Sequence, residues 1–113
     1  MKSLKPLCEH YFNLFINKDI NGLSTLFSDD IKLIDWNIST KGKNEVLLQN
    51  KNIFDNVNDI KIEINELIEE HNKVCCQINL SIKVDEKYEN INIVDIITFD
   101  DLMKIKKIEA YKI

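Results

Sequence analysis

The sequence contains no arginine. All fifteen basic residues are lysines, and nineteen acidic residues bring the net charge to -4. Nucleic-acid binders need a basic face that displaces counterions from phosphates, and they favour the forked guanidinium group for reading base edges. Because the sequence offers neither feature, we expect no nucleic acid among the partners of this protein.

Long apolar runs are also missing. No stretch approaches the roughly 18 apolar residues of a membrane helix. The first thirty residues lack the series of charged stub, apolar block and small-residue cleavage site that marks a secretory signal. We therefore expect a cytoplasmic protein with no membrane partner. A length of 113 residues, with 44% apolar and 30% charged residues, predicts one globular domain over residues 1–113.

Cysteine and histidine are scarce. The three cysteines include the adjacent pair Cys75 and Cys76. Neighbouring residues of a strand point to opposite faces, so we expect no disulfide between them, and free thiols suit a reducing compartment. His71 lies four residues before Cys75, but no second histidine or C-x-x-C spacing accompanies it. We expect neither a metal site nor a cofactor.

The first half of the chain has mostly helical periodicity. Apolar residues at three- and four-residue spacing predict a helix over residues 4–17. Asp19 can cap a second, short helix that reaches Phe27. Alternation over residues 31–36 predicts a strand, and Gly42 then opens a third helix. Three N-terminal helices are therefore expected.

The second half changes to a period of two. Alternation predicts strands over residues 60–64 and 74–84, and further strands follow over residues 90–100 and 104–112. Helices followed by a strand meander predict an α+β fold, in which three N-terminal helices pack in a strongly curved antiparallel sheet.

The predicted strand over residues 90–100 is apolar on both faces. Ile91, Ile93 and Ile97 share one face, whereas Val94 and Ile96 occupy the other. A second apolar face on so short a chain needs a cover, and a second copy of the protein is the simplest one. We therefore expect a homodimer formed through the outer face of the sheet.

Three polar residues interrupt faces that are otherwise apolar: Tyr11, Asp35 and Asp95. A carboxylate in an apolar wall either finds partners or stays protonated, so we predict that the pKa of Asp95 lies above the aspartate reference of about 3.9. Structural roles remain open for all three. The tyrosine hydroxyl can bond a core carbonyl, Asp35 at a strand end can cap the next turn, and Asp95 can be a satisfied buried residue.

Several segments carry a family resemblance: Tyr11–Asp19, Leu26–Trp36, Gly42 at the start of the third helix, Val94–Asp100 and Ile105–Tyr111. They resemble the nuclear transport factor 2-like superfamily, specifically its SnoaL-like and ketosteroid-isomerase-like branch, over nearly the whole sequence. The resemblance implies a cone-shaped fold, in which a curved sheet wraps around helices and leaves a pocket at its wide end.

The resemblance also implies a site. The isomerases use a tyrosine on the first helix, an aspartate at the end of the first strand and an aspartate on a long, late strand, and Tyr11, Asp35 and Asp95 fall on these positions. Asp35 would then take a proton next to a carbonyl, while Tyr11 and a protonated Asp95 donate hydrogen bonds to the enolate oxygen. Trp36 stands where the isomerases have proline, which reshapes the pocket mouth.

Phe15, Phe54 and Trp36 are further candidates for lining the pocket. Three functions remain open from the sequence. The first is an enzyme of isomerase, lyase or cyclase type that moves a proton next to a carbonyl of a small hydrophobic substrate. The second is a module that binds a small ligand or dimerises without catalysis. The third is an interaction domain whose outer sheet face binds another protein.

Overall fold

In the computed structural model, which describes residues 2–113, three helices pack against one six-stranded sheet. The elements in chain order are α1 (Lys5–Ile16), α2 (Ile20–Leu26), β1 (Phe27–Ile34), β2 (Ser39–Lys41), α3 (Lys43–Asn56), β3 (Asp59–Glu70), β4 (Lys73–Val84), β5 (Lys87–Phe99) and β6 (Ile105–Lys112). The predicted α+β class with three N-terminal helices is confirmed.

The helices begin where the sequence predicts. The side chain of Asp19 caps α2 by accepting a hydrogen bond from the backbone N–H of Gly22 at 2.8 Å. Gly42 precedes α3 with φ of 100°, a backbone angle that residues with a Cβ rarely adopt. In the part of the chain that the structure describes, no helix has the length and apolar character needed to cross a membrane.

The strands follow the order β2-β1-β6-β5-β4-β3. Four of the five neighbouring pairs are antiparallel, but β1 pairs with β6 in parallel. The prediction of an antiparallel sheet is therefore wrong for this pair. A parallel pair needs a long connection, and here α3 and four strands lie between β1 and β6 in the chain. The alternation of residues within a strand does not indicate which distant strand it will pair with.

β3 is longer than predicted because a bulge interrupts its alternation. The predicted alternation ends at Ile64, whereas the strand continues to Glu70 with a register shift between Ile64 and Glu66. A bulge inserts one extra residue and bends the strand. Leu67 consequently returns to the inner face opposite Cys76, and the bend helps to curve the sheet around the helices.

β5 carries apolar residues on both faces, as predicted, but the two faces differ in burial. Ile93, Asp95 and Ile97 are buried on the inner face against the helices. Val94 and Ile96 lie on the outer face, where they are only half-buried. The inner face therefore forms the core, and it carries one carboxyl group.

Candidate functional site

A cavity of about 210 Å³ lies between α1, α3 and the inner face of the sheet. This volume is below the range of about 300 to 1,000 Å³ that is typical of sites for drug-sized ligands. Most of the wall is aliphatic: Leu33, Ile53, Ile62, Ile78, Leu80, Ile82, Ile91, Ile93, Ile108 and Ala110. Four residues bring carboxyl, hydroxyl or amide groups to this wall: Tyr11, Asp35, Asn50 and Asp95.

Tyr11 reaches the cavity from the buried side of α1. Its ring is held among aromatic neighbours, with centroids 5.2 Å from Phe12 and 6.3 Å from Phe27. Burial, and after it the nearby carboxyl of Asp95, raises the pKa of the Tyr11 hydroxyl well above its usual value of 10.0. The hydroxyl is therefore protonated at neutral pH and can donate a hydrogen bond into the cavity.

Asp95 lies in the middle of β5 and is 7% exposed. Burial, with a smaller contribution from the charge of Asp35, raises the pKa of Asp95 to about 7. The predicted direction of this shift is confirmed. At neutral pH the carboxyl group is protonated in about half of the molecules, and in that form it can donate a hydrogen bond.

Two buried thiols, those of Cys8 and Cys76, lie close to Tyr11 and Asp95. Cys76 is the cross-strand partner of Asp95, and its thiol contacts the Cys8 thiol of α1. The adjacent Cys8 thiol, together with burial, raises the pKa of the Cys76 thiol far above its usual range. Both thiols are fully buried, whereas Cys75 points to the outer face. Cys75 and Cys76 thus occupy opposite faces, as predicted.

Asp35 follows the last residue of β1 and lies at the cavity wall. Its Oδ1 accepts hydrogen bonds from the backbone N–H groups of Asn37 and Ile38, both at 2.7 Å. The backbone N–H of Asp35 in turn donates to the carbonyl of Ile38 at 2.8 Å. The residue therefore caps the turn between β1 and β2, the structural role left open above, while its side chain also faces the cavity.

The aromatic candidates separate into two groups. Phe15 and Trp36 line the cavity, and Trp36 is 42% exposed beneath the ammonium group of Lys112, which lies 5.0 Å from the ring centroid. Phe54 does not line the cavity: it is buried behind Phe15, with ring centroids 4.9 Å apart. The prediction for Phe54 is corrected, because helical spacing identifies the inner stripe of α3 and not which of its members border open space.

Asn50 belongs to the cavity wall but was missed by the sequence analysis. It lies on α3, is 4% exposed, and its Nδ2 donates to the backbone carbonyl of Val46 at 3.0 Å. The signal was present, because Asn50 is four residues after Val46 and four before Phe54, in the middle of an apolar stripe. Asn50 is a polar residue that interrupts an apolar helix face, which is the criterion by which Tyr11 was chosen.

The polar atoms of this wall are open to the cavity. Within residues 2–113, only Thr98 Oγ1 is both buried and without a hydrogen-bond partner. The hydroxyl of Tyr11, the carboxyl of Asp95 and the Oδ1 atom of Asn50 form no hydrogen bond with any described residue, so each is accessible to a molecule in the cavity. The described residues include no cluster of three potential metal ligands.

The chemical character of the site follows from these groups. Two neutral donors, Tyr11 and protonated Asp95, share an apolar cavity with the carboxylate of Asp35. In a low-dielectric environment, donors of this kind stabilise negative charge that develops on a bound oxygen. A carboxylate at the same wall can accept a proton.

The fold and the position of this cavity define a class of proteins, the cone-shaped α+β proteins with a pocket between helices and sheet. A family model for the SnoaL-like domain matches residues 8–108. The chain therefore belongs to the SnoaL-like family. No curated protein matches it by sequence.

Solved structures share the fold at low sequence identity. A proposed SnoaL-like polyketide cyclase from Shewanella denitrificans is 16% identical with a TM-score of 0.85, over 97% of this chain and 90% of that one. An LEH-like epoxide hydrolase from M. tuberculosis is 13% identical with a TM-score of 0.83, over 94% of this chain and 79% of that one. A protein with a ketosteroid isomerase-like fold from Catenulispora acidiphila is 11% identical with a TM-score of 0.83, over 92% of this chain and 82% of that one. The same fold thus occurs in proteins described by different chemistries.

Proposed function

We propose that this protein binds a small, largely apolar carbonyl compound and moves a proton at the carbon next to its carbonyl group. The observation that carries the proposal is the meeting of Tyr11, Asp35 and Asp95 at one apolar cavity. The Asp95 carboxyl in particular forms no hydrogen bond with any described residue, and an inert pocket has no need of such a group, because a desolvated carboxyl group costs free energy.

The roles follow from the charge of each group. Asp35 is the base, since its carboxylate lies at the wall and keeps its Oδ1 fixed in a turn. Tyr11 and protonated Asp95 donate hydrogen bonds to the carbonyl oxygen, and these bonds strengthen as an enolate forms. In simple exchange the proton removed by Asp35 returns to the same carbon. In an isomerase the substrate carries a β,γ-double bond, and the proton returns to the γ-carbon of the resulting dienolate while the double bond moves into conjugation with the carbonyl.

Proton exchange tests the proposal without knowledge of the natural substrate. 2-Tetralone is a bicyclic ketone with acidic protons beside its carbonyl, and their replacement in D₂O is measurable by NMR. We expect the protein to accelerate this exchange, and Asp35→Asn to slow it by about 100-fold or more, which is the usual contribution of a general base. Tyr11→Phe is expected to slow exchange as well, because it removes one donor to the enolate.

The hydrogen bonds that Asp35 accepts within its turn favour a second candidate function. A carboxylate that caps a turn has a structural reason to be there, so the cavity is also compatible with a ligand-binding module without catalysis. Such a module binds 2-naphthol, a neutral phenol that mimics an enolate, no better than it binds naphthalene. Binding of 2-naphthol that is tighter, and that Tyr11→Phe weakens, supports the proton-transfer proposal.

We also propose that the protein acts as a homodimer through the outer face of the sheet. The outer patch consists of Ile68, Cys75, Val94, Ile96 and Tyr111. Register places Ile68, Cys75 and Ile96 side by side on β3, β4 and β5, with Val94 next to Tyr111. Ile68 and Tyr111 are 56% and 51% exposed. Gln77 and Glu109 lie beside Val94 and Ile96 on this face, so the patch is apolar with a polar border, and its exposed apolar side chains favour burial against another apolar surface.

A further inference from the structure

Asn50 is a buried amide in the wall of an apolar cavity. It lies in the interior of α3 between Val46 and Phe54, both of which are buried, and only 4% of Asn50 is exposed. Asparagine is unfavourable in helix interiors and is seldom buried. We therefore expect the side-chain amide of Asn50 to have a hydrogen-bonding partner that explains its burial.

One hydrogen bond fixes the orientation of this amide. The Nδ2 atom donates to the backbone carbonyl of Val46 at 3.0 Å. Exchanging the two ends of the amide would bring Oδ1 against that carbonyl oxygen, so the orientation is determined by chemistry. Oδ1 is left as an acceptor, and no described residue donates to it.

A second asparagine of α3 shows that the bond to the helix does not require burial. Asn56 donates from Nδ2 to the carbonyl of Asn52 at 2.6 Å, with the same four-residue spacing, yet Asn56 is exposed. The two residues differ in that Asn50 faces the cavity. The free Oδ1 atom of Asn50 is thus the feature that needs an explanation.

We infer that Asn50 determines ligand specificity by accepting a hydrogen bond from a hydroxyl or N–H group of the bound molecule. The substrate class is then a small apolar carbonyl compound that carries a donor group away from its carbonyl. This inference rests on the proposed function, because it concerns the same cavity. It adds an acceptor on α3 to the two donors on α1 and β5.

The polar groups of the wall are complementary to such a ligand. Tyr11 and protonated Asp95 donate, and therefore bind the carbonyl oxygen, whereas Asn50 on α3 accepts. Because the rest of the wall is largely aliphatic, a ligand without a donor leaves Oδ1 unpaired when it displaces water. A polar group built into an apolar site discriminates against molecules that cannot pair it.

Naphthols of matched size test the inference by direct binding. 2-Naphthol supplies one hydroxyl for the position of the enolate oxygen, and the 1,5-, 1,6-, 2,6- and 2,7-dihydroxynaphthalenes supply a second hydroxyl at different distances. We expect at least one of these isomers to bind about 2- to 12-fold more tightly than 2-naphthol. Asn50→Leu, which keeps the branching and number of side-chain heavy atoms, should abolish that gain, measured as the ratio of the two affinities on the same variant.

Asn56→Leu is the matched control, because it removes the same residue type and the same helix bond outside the cavity. It should keep the full gain. The ratio of two affinities measured on one preparation does not depend on the folded fraction, so partial unfolding of a variant does not imitate the result. 6-Amino-2-naphthol distinguishes an amino donor from a hydroxyl donor: a gain with the amine that Asn50→Leu abolishes identifies N–H as an accepted group.

The outcomes separate the two proposals. If 2-naphthol binds and no second donor improves binding, or if the gain persists in Asn50→Leu, the inference about Asn50 is overturned and the proposed function stands. If neither 2-naphthol nor any dihydroxynaphthalene binds, both are overturned. A gain that is present in the wild type and in Asn56→Leu, and absent from Asn50→Leu, supports the inference.

Discussion

At the scale of single residues, the proposed site depends on polar groups whose neutral form is favoured by burial. Tyr11 and Asp95 lie among apolar neighbours, and burial raises the pKa of both. The same low-dielectric surroundings that make a charge costly make a neutral donor effective towards a developing oxyanion. The side chain of Asp35 is fixed in the turn by two backbone N–H groups, which donate hydrogen bonds to its Oδ1.

Asp95→Asn should stabilise the protein increasingly as pH rises. The folded pKa of about 7 lies above the unfolded value of about 3.9, so the folded state holds this proton more tightly. Stability is consequently lost between about pH 4 and pH 7, as the proton dissociates, and the total cost reaches about 4 kcal/mol. Asparagine does not titrate and avoids this loss.

Urea unfolding of wild type and Asp95→Asn at pH 4, 6 and 8 measures the effect. The free energy of unfolding of Asp95→Asn, relative to that of the wild type, should increase from pH 4 to pH 6 and again from pH 6 to pH 8. Asp101→Asn, in the exposed turn before β6, controls for the removal of one negative charge. A wild type that is the more stable protein at pH 8 would mean that Asp95 is ionised and paired, and the neutral-donor role would be lost.

At the scale of elements, one tight turn positions the proposed base. β1 ends at Ile34 and β2 begins at Ser39, so the turn holds Asp35 and Trp36 at the cavity. Its geometry depends on the Oδ1 atom of Asp35. The structural and chemical roles of this residue are therefore separable by substitution.

Asp35→Asn and Asp35→Ala should behave differently. Asparagine keeps an Oδ1 acceptor for both turn bonds but removes the charge, whereas alanine removes both. We expect Asp35→Ala to lower the free energy of unfolding by about 1 to 3 kcal/mol and Asp35→Asn to change it less. Because burial is the main cause of the raised pKa of Asp95 and the Asp35 charge adds to it, Asp35→Asn should lower that pKa moderately.

Chemical denaturation and an NMR titration of the Asp95 carboxyl carbon measure the two quantities. Equal stability of the alanine and asparagine variants would show that the turn does not depend on Oδ1. An unchanged Asp95 pKa in Asp35→Asn would show that the two carboxyl groups do not interact.

At the scale of the whole molecule, the sheet places the cavity and the outer patch on opposite faces. The inner face, with Asp95, borders the cavity, while the outer face carries the patch around Ile96. Consecutive residues of β5 point to opposite faces, so this one strand contributes both to the cavity wall and to the outer patch. The proposed dimerisation through the outer patch would therefore leave the residues of the cavity wall unchanged.

Ile68→Lys should convert the proposed dimer into a monomer. Ile68 is 56% exposed, so lysine is tolerated in the monomer but places a charge in the interface. Leu102→Lys, at a residue that is 81% exposed outside the outer patch, is the matched control. Sedimentation velocity at micromolar concentration should show a dimer for the wild type and Leu102→Lys, and a monomer for Ile68→Lys. A monomeric wild type would refute the dimer.

Much of the fold was predictable from periodicity. Period-two alternation over Val74–Val84 and helical spacing around Tyr11 identify elements because burial selects one face of each. The parallel pairing of β1 with β6 and the continuation of β3 to Glu70 were not predictable in this way. The first depends on contacts distant in sequence, and the second on a bulge that breaks the alternation.

For the site, the sequence by itself determined that Tyr11, Asp35 and Asp95 interrupt apolar faces, because that pattern is local. Only the tertiary structure decided that these residues share one cavity with Asn50, and that Phe54 lies behind Phe15. The physical reason is that a cavity is the space left between α1, α3 and the sheet. Its borders depend on how those elements pack, which no single element encodes.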